Sequence, residues 1–261
     1  MTDLQSTELQ RRCEVLRALH RPGTPLLLPN VWDAATASAV VAAGFTVVAT
    51  SSGAVAAALG YEDHEGAPAD EMLAAAARIV RATDVPVTVD AEAGYGMEPA
   101  ELVDALRTLG AAGCNLEDTD HRAGALRAPG EHAKWLAAVR QSAAETAYPL
   151  VINARVDVFL SPFLAGAGAD DLAKLVPQAV ERGTAYLEAG ADCVFPIGLW
   201  EPGAVHTFIA QVERPVNVIR LPQGPSVAEL ARLGVARVSW GPLLHHAAIA
   251  HFADQLASLR D

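Results

Sequence analysis

Eight short apolar runs recur along the chain, and their alternation with alanine-rich stretches of helical spacing constrains the fold more than any other feature. The runs are LLLP (26–29), TVVATS (46–51), VTVDAE (87–92), GCNLED (113–118), LVINARVD (150–157), CVFPIG (193–198), VNVI (216–219) and RVSWG (237–241). Between them, helices are expected near 33–43, 68–83, 98–112, 131–146, 171–189, 202–212, 226–233 and 242–258, several opened by Asp, Pro or Ser and closed by Gly. Uninterrupted apolar strands are buried on both faces, as in parallel sheets covered by helices. Eight such units predict an α/β fold, a closed (β/α)8 TIM barrel. No GxGxxG opens the first helix, so the doubly wound alternative lacks its fingerprint.

The 261 residues, 51% of them hydrophobic, suffice for one large core, and residues 1–261 are expected to form a single barrel domain. Against 31 Asp plus Glu stand 19 Lys plus Arg, a net charge of -12, which argues against a nucleic-acid or anionic-membrane partner. An anionic substrate would need a local cation. The first twenty residues are charged throughout, and no uncharged apolar run reaches the length of about 18 residues that a membrane span needs, so a cytoplasmic location is expected. Cys13, Cys114 and Cys193 lack metal-type spacing and are read as packing residues.

The longest stretches without periodicity are 53–67, 119–130 and 161–170. All follow strand C-termini, the end where barrel enzymes build their sites, so all three are candidate lids. SPFLAGAGADD is glycine-rich but lacks a following GK[ST], and is read as a flexible loop, not a phosphate cradle.

Polar residues gather at the same strand ends: Thr50, Ser51, Ser52 and Gly53 after strand two, Asp90 and Glu92 after strand three, Glu117 and Asp118 after strand four, Asn153, Arg155 and Asp157 on strand five, and Asn217 on strand seven. Side chains at i and i+2 share a face, so Asp90 and Glu92 are expected to point together into the barrel mouth, as are Asn153 and Arg155. Converging acids cannot all stay ionised without a cation. Asp90, Glu92 and Glu117 offer hard oxygen ligands without His or Cys, a set suited to Mg²⁺ or Mn²⁺, with the remaining coordination left to substrate oxygens. Asp118 faces away from Glu117, and Asp157 is read as structural. His121 is expected to be an exposed loop residue, and His245 and His246 surface or interface residues; Trp32 and Trp240 are wall residues, and Tyr95 either closes over the site or packs under the lid.

The stretches PNVWDAATA (29–37), SSGAVAAALGYED (51–63), VDAEAGYG (89–96), NLEDTD (115–120) and INARVDVFL (152–160) resemble, in order and over most of the chain, the isocitrate lyase and phosphoenolpyruvate mutase superfamily. The resemblance implies a barrel whose last helix is exchanged between subunits, giving a homodimer or homotetramer. It also implies Mg²⁺ held directly by Asp90, with Glu92, Glu117 and Asp63 acting through water, and an α-keto acid or its enolate between Ser51, Ser52, Gly53 and Arg155. A small carboxylic acid bound there is expected to undergo C–C cleavage, Arg155, Asp63 and Glu117 taking part in the chemistry.

Departures from the family patterns narrow the reaction. Isocitrate and methylisocitrate lyases carry a cysteine in the lid after strand four, where this chain reads TDHRAGALRAPGEH. Phosphoenolpyruvate mutases place a lysine where Thr119 and Asp120 stand, and the superfamily's oxaloacetate decarboxylases have a histidine where Pro242 stands. The expectation is a Mg²⁺-dependent carbon–carbon lyase acting on a small α-keto or 2-hydroxy di- or tricarboxylic acid. The alternatives are phosphonopyruvate or phosphoenolpyruvate chemistry, and a keto-acid-binding protein that has lost turnover.

Overall fold

A computed structural model describes residues 3–259. Strands Leu26–Leu28 (continued by Asn30–Val31), Val48–Thr50, Val87–Asp90, Gly113–Glu117, Val151–Val156, Cys193–Pro196, Asn217–Ile219 and Arg237–Ser239 are numbered one to eight below. Each pairs in parallel with the next, a bridge between Val194 and Val216 joins six to seven, and Leu26 beside Arg237 returns strand eight to strand one. The ring is closed, which leaves no sheet edge exposed. All six residues of Val151–Val156 are buried, as continuous apolar runs in a helix-covered barrel require.

The expected helices are present, with local differences. The stretch 171–189 is two helices, Ala169–Ala173 and Val176–Glu188, and Pro177 sits in the first turn of the second, where its missing N–H costs nothing. Residues 53–67, expected to be irregular, begin as the helix Ser52–Leu59, whose alanines favour a helix until Gly60 ends it at φ 91°. The stretch 161–170 contains the short helix Leu160–Leu164, and 119–130 is a small hairpin pairing Thr119–Asp120 with Ala125–Leu126. The charged N-terminus, weighed above only for an apolar leader, is the helix Asp3–Ala18. It closes the N-terminal end of the barrel, burying Cys13 and Leu16 and sending the Arg17 guanidinium to Asp192 and the carbonyls of Pro149 and Leu150. Gly113 permits this close approach, because a Cβ there would stand 2.8 Å from Leu16 Cδ2 and from the Val151 carbonyl.

All three cysteines are free and buried, and burial pushes each thiol up to about 12, so none offers a thiolate at neutral pH. No helix among the described residues is long and apolar enough to cross a membrane. The helix Leu243–Ser258 is attached to the barrel through its first turn; from His246 onward every described residue is exposed, including Ile249, Phe252 and Leu256 along one stripe.

Candidate active site

The closed ring places the ends of strands two to five side by side. Register sets Glu117 beside Arg155, and Asp90 in line with Asn115 and Asn153. Asp90 ends strand three: its N–H donates to Thr50 Oγ1 at 2.8 Å, and its Oδ2 accepts from the Ser52 N–H at 3.1 Å, at the start of the helix that follows strand two. Its other oxygen, Oδ1, is buried with no partner. Asp63, from the loop after that helix, likewise buries an unpartnered Oδ1, while its Oδ2 lies so close to Gly53 that a Cβ there would stand 2.7 Å away. Glycine at 53 is therefore a steric requirement of Asp63. Ser51 and Ser52 are buried alongside.

Glu92 reaches the same acid cluster by a different route from the one expected. It lies past the end of strand three with φ 48°, so the two-residue strand period does not place it. A clasp holds it instead: the Glu65 N–H donates to Glu92 Oε1, and the Tyr95 N–H donates to Glu65 Oε1, both at 2.6 Å. His64, Glu65, Glu92 and Tyr95 all take left-handed backbone conformations, strain that surrounding contacts must hold in place and that is common at functional sites. Burial pushes Glu92 up to about 8 against the pull of the Glu65 N–H, and the charges of Asp90, Asp63 and Glu117 add to the rise. The Tyr95 ring packs against the small apolar cluster of Val55, Ala56, Ala67, Met72 and Ala75, and burial, then the charge of Glu92, raises its hydroxyl's pKa.

Arg155 is buried among acids. Its Nε and Nη2 donate to Asp157 at 2.7 and 2.9 Å, and its Nη2 also pairs with Glu117. Thr119 donates to Asp157 at 2.6 Å. Although burial opposes it, the Arg155 charge holds Asp157 below the usual carboxylate range. For Glu117 burial wins, pushing it up to about 7 despite Arg155 and His121. His121 is a correction to the sequence reading: it is not an exposed loop residue but folds inward to hydrogen-bond Glu117, with His64 packed beside it at 5.2 Å between ring centroids. Burial disfavours its charge, but the Glu117 contact outweighs that and raises its pKa.

Asp118 faces the other way, accepting from the Asp157 N–H at 2.9 Å, Arg182 at 2.8 Å and the Tyr186 hydroxyl at 2.7 Å. Asn217 lies in a buried network, accepting from Asn153 at 3.3 Å and donating to Ser239 at 3.1 Å, while Arg237 donates to Asn115 at 3.0 Å. These bonds turn the Asn217 side chain toward strands five and eight. His245, expected at the surface, is buried with its ring 4.9 Å from that of Trp32.

The structure thus brings Asp63, Asp90, Glu92, Glu117 and Arg155 together against Ser52 and Gly53, while Asn217 joins the buried amide network around Asn153. Sequence reading missed Glu65 and Asn30 and set His121 at the surface. Asn30 donates to the Thr50 carbonyl and accepts from the N–H groups of Trp240 and Gly241, each at 2.8 Å, tying strands one, two and eight at the rim. Its signal was its place inside PNVWDAATA; Glu65 and His121 had none, since both depend on loop conformation.

Among the described residues no three His, Cys, Asp or Glu side chains form a ready metal group. Of the expected trio, Glu117 is engaged by Arg155 and His121, and Glu92 by Glu65. What does fit a hard cation is the pair of buried, unpartnered oxygens on Asp63 and Asp90, since an orphaned buried carboxylate oxygen is costly without a counter-charge. Mg²⁺ asks for no more than one or two protein carboxylates.

Residues 16–260 match the family described as phosphoenolpyruvate phosphomutase. The chain is 30% identical to the phosphoenolpyruvate phosphomutase of Streptomyces hygroscopicus, covering 93% of this chain and 78% of that protein. It is also 30% identical to the 2-methylisocitrate lyase of Escherichia coli, over 76% of this chain and 70% of that one. A crystal structure from Burkholderia cenocepacia J2315, whose designation as a phosphonomutase is provisional, superposes with a TM-score of 0.86 at 41% identity, covering 95% of this chain and 99% of that one. The barrel, its acidic mouth and these likenesses agree: the chain belongs to the phosphoenolpyruvate phosphomutase family, in the enzyme superfamily of phosphoenolpyruvate mutases and isocitrate lyases.

Proposed function

We propose that the protein is a Mg²⁺-dependent (or Mn²⁺-dependent) lyase that cleaves a C–C bond in a small α-keto or 2-hydroxy di- or tricarboxylic acid. The observation that carries this reading is the pair of buried, unpartnered oxygens of Asp63 and Asp90 beside Arg155. Asp63 and Asp90 would hold the ion, with Glu92 and Glu117 close by. When bound, the ion supplies Lewis acidity toward the oxygens of an α-oxo or α-hydroxy acid.

The protein's own groups do the rest. Asp157 and Glu117 fix the plane of the Arg155 guanidinium, which neutralises charge as it develops on a substrate oxygen. Gly53 leaves room for Asp63 against the second strand's end. His121 Nε2 hydrogen-bonds Glu117 Oε1, so this pair is placed to give a proton to the departing carbon while a carboxylate of the cluster takes the proton that the substrate hydroxyl loses. Loop 60–66 and the hairpin 119–126 exclude water from above.

The test is a screen of isocitrate, methylisocitrate, oxaloacetate, malate-type acids and phosphonopyruvate with Mg²⁺. Keto-acid product from one of the first four is the expected result, and turnover of phosphonopyruvate alone, read by ³¹P NMR, would overturn it. That rival has support in the 41% identical Burkholderia structure, whose provisional name is a phosphonomutase. Calorimetric binding of these acids without product would point instead to a binding protein.

The functional unit we propose is a homodimer or homotetramer that covers the bare stripe of Leu243–Ser258. Light scattering should give a multimer for the native chain and a monomer for Phe252→Asp; a native monomer would remove this part of the reading.

A further inference from the structure

We infer that Arg122, at the tip of the lid hairpin, is the receptor for a distal carboxylate, making the substrate a dicarboxylic acid; this rests on the reading of the site above. The hairpin tip is braced by its own hydrogen bonds. The N–H groups of Arg122 and Ala123 both donate to Asp120 Oδ1 at 3.0 Å, and Thr119–Asp120 pairs with Ala125–Leu126. From this support successive residues take different directions: His121 turns inward to Glu117, and Arg122 reaches across to the turn that follows Glu92. A Cβ on Gly96 would stand 3.1 Å from Arg122 Nη2, so glycine there lets the guanidinium lie against the rim.

Charge decides the role. Asp63, Glu65, Asp90, Glu92, Glu117 and Asp157 surround the mouth, and the fixed cation inside it, Arg155, already gives its Nε and Nη2 to Asp157 and Glu117. A divalent ion at Asp63 and Asp90 would serve the oxo or hydroxy end of a substrate and its neighbouring carboxylate. A second carboxylate would then enter an acidic surround and needs a cation of its own. Among the described residues no hydrogen bond or ion pair engages the Arg122 guanidinium, which is exposed at the rim and has its planar fork free for a carboxylate.

The experiment compares the full chain with Arg122→Gln and Arg122→Lys by calorimetric titration in Mg²⁺, using malate and 2-hydroxybutyrate, which differ in the distal carboxylate. The native protein should prefer malate. Arg122→Gln should cut that preference about tenfold to a hundredfold, the worth of a hydrogen bond to a charged group, and Arg122→Lys should retain part of it. A native protein that binds both acids with no preference for malate, or an Arg122→Gln protein with an unchanged ratio, would overturn the assignment while leaving the site reading standing. If the native protein bound neither acid, the site reading would fall and this inference with it.

Discussion

Replacing Asp90 with alanine should abolish Mg²⁺-dependent binding of keto and hydroxy acids while leaving the barrel folded. The two halves of this expectation rest on different contacts. Asp90 holds its place in the sheet through its backbone N–H, which donates to Thr50, and that bond survives truncation. The side chain accepts one hydrogen bond, from the Ser52 N–H, and leaves its other oxygen buried and unpaired. Removing it also lifts part of the repulsion that, after burial, pushes Glu92 up to about 8. Thermal stability should therefore stay level or rise. Groups that merely support a metal ligand are worth about 10- to 100-fold in metal affinity, so losing a direct ligand should cost on the order of a hundredfold or more. Titration of Mg²⁺ and malate into Asp90→Ala, beside a thermal melt, checks both parts. Unchanged affinity in a folded variant would remove Asp90 from the site.

A comparably large effect, on stability, is expected at Asp118. This residue precedes Thr119 and follows Glu117, yet its carboxylate belongs to the wall behind the site, where Arg182, the Tyr186 hydroxyl and the Asp157 N–H all donate to it. Asp118→Ala leaves a buried guanidinium without its acid and two further donors without an acceptor. Breaking one side of a buried ion pair costs about 3–5 kcal/mol, and in a chain of this size each kcal/mol moves the midpoint by roughly 2–4 °C, so the melt should fall by about 10 °C or more. Replacing both partners, Asp118→Leu with Arg182→Met, should recover much of that loss, because two apolar groups leave no orphaned charge. A fall of under about 1 kcal/mol in Asp118→Ala, measured by urea denaturation, would mean that water already shares this cluster. Activity should follow stability here, since the Asp157 N–H bond is what connects Asp118 to the Arg155 anchor.

The barrel was legible because its strands are short, apolar on both faces and evenly interrupted, a pattern with few other solutions. Asp90, Glu117 and Arg155 were legible for a related reason: each lies on a strand, where a residue's position in the period fixes its direction. Glu92 shows the limit. Its carboxylate arrived where expected, but through a left-handed residue past the strand end, held by a loop about thirty residues away in sequence. His121 was misjudged as solvent-facing for the same cause, since nothing local in TDHRAG states that the hairpin folds back over Glu117. Asn217 was legible as to its strand, but its partners Asn153 and Ser239 depend on stagger between strands, which sequence spacing does not report.

The carboxylate of Glu65 takes an N–H from Tyr95 while its backbone gives one to Glu92, so loop 60–66 and the turn after strand three are buttoned to each other through a single residue. Neither can be lifted without undoing the same fastening. Parting them would break two hydrogen bonds at once, both made by a residue whose own backbone is left-handed.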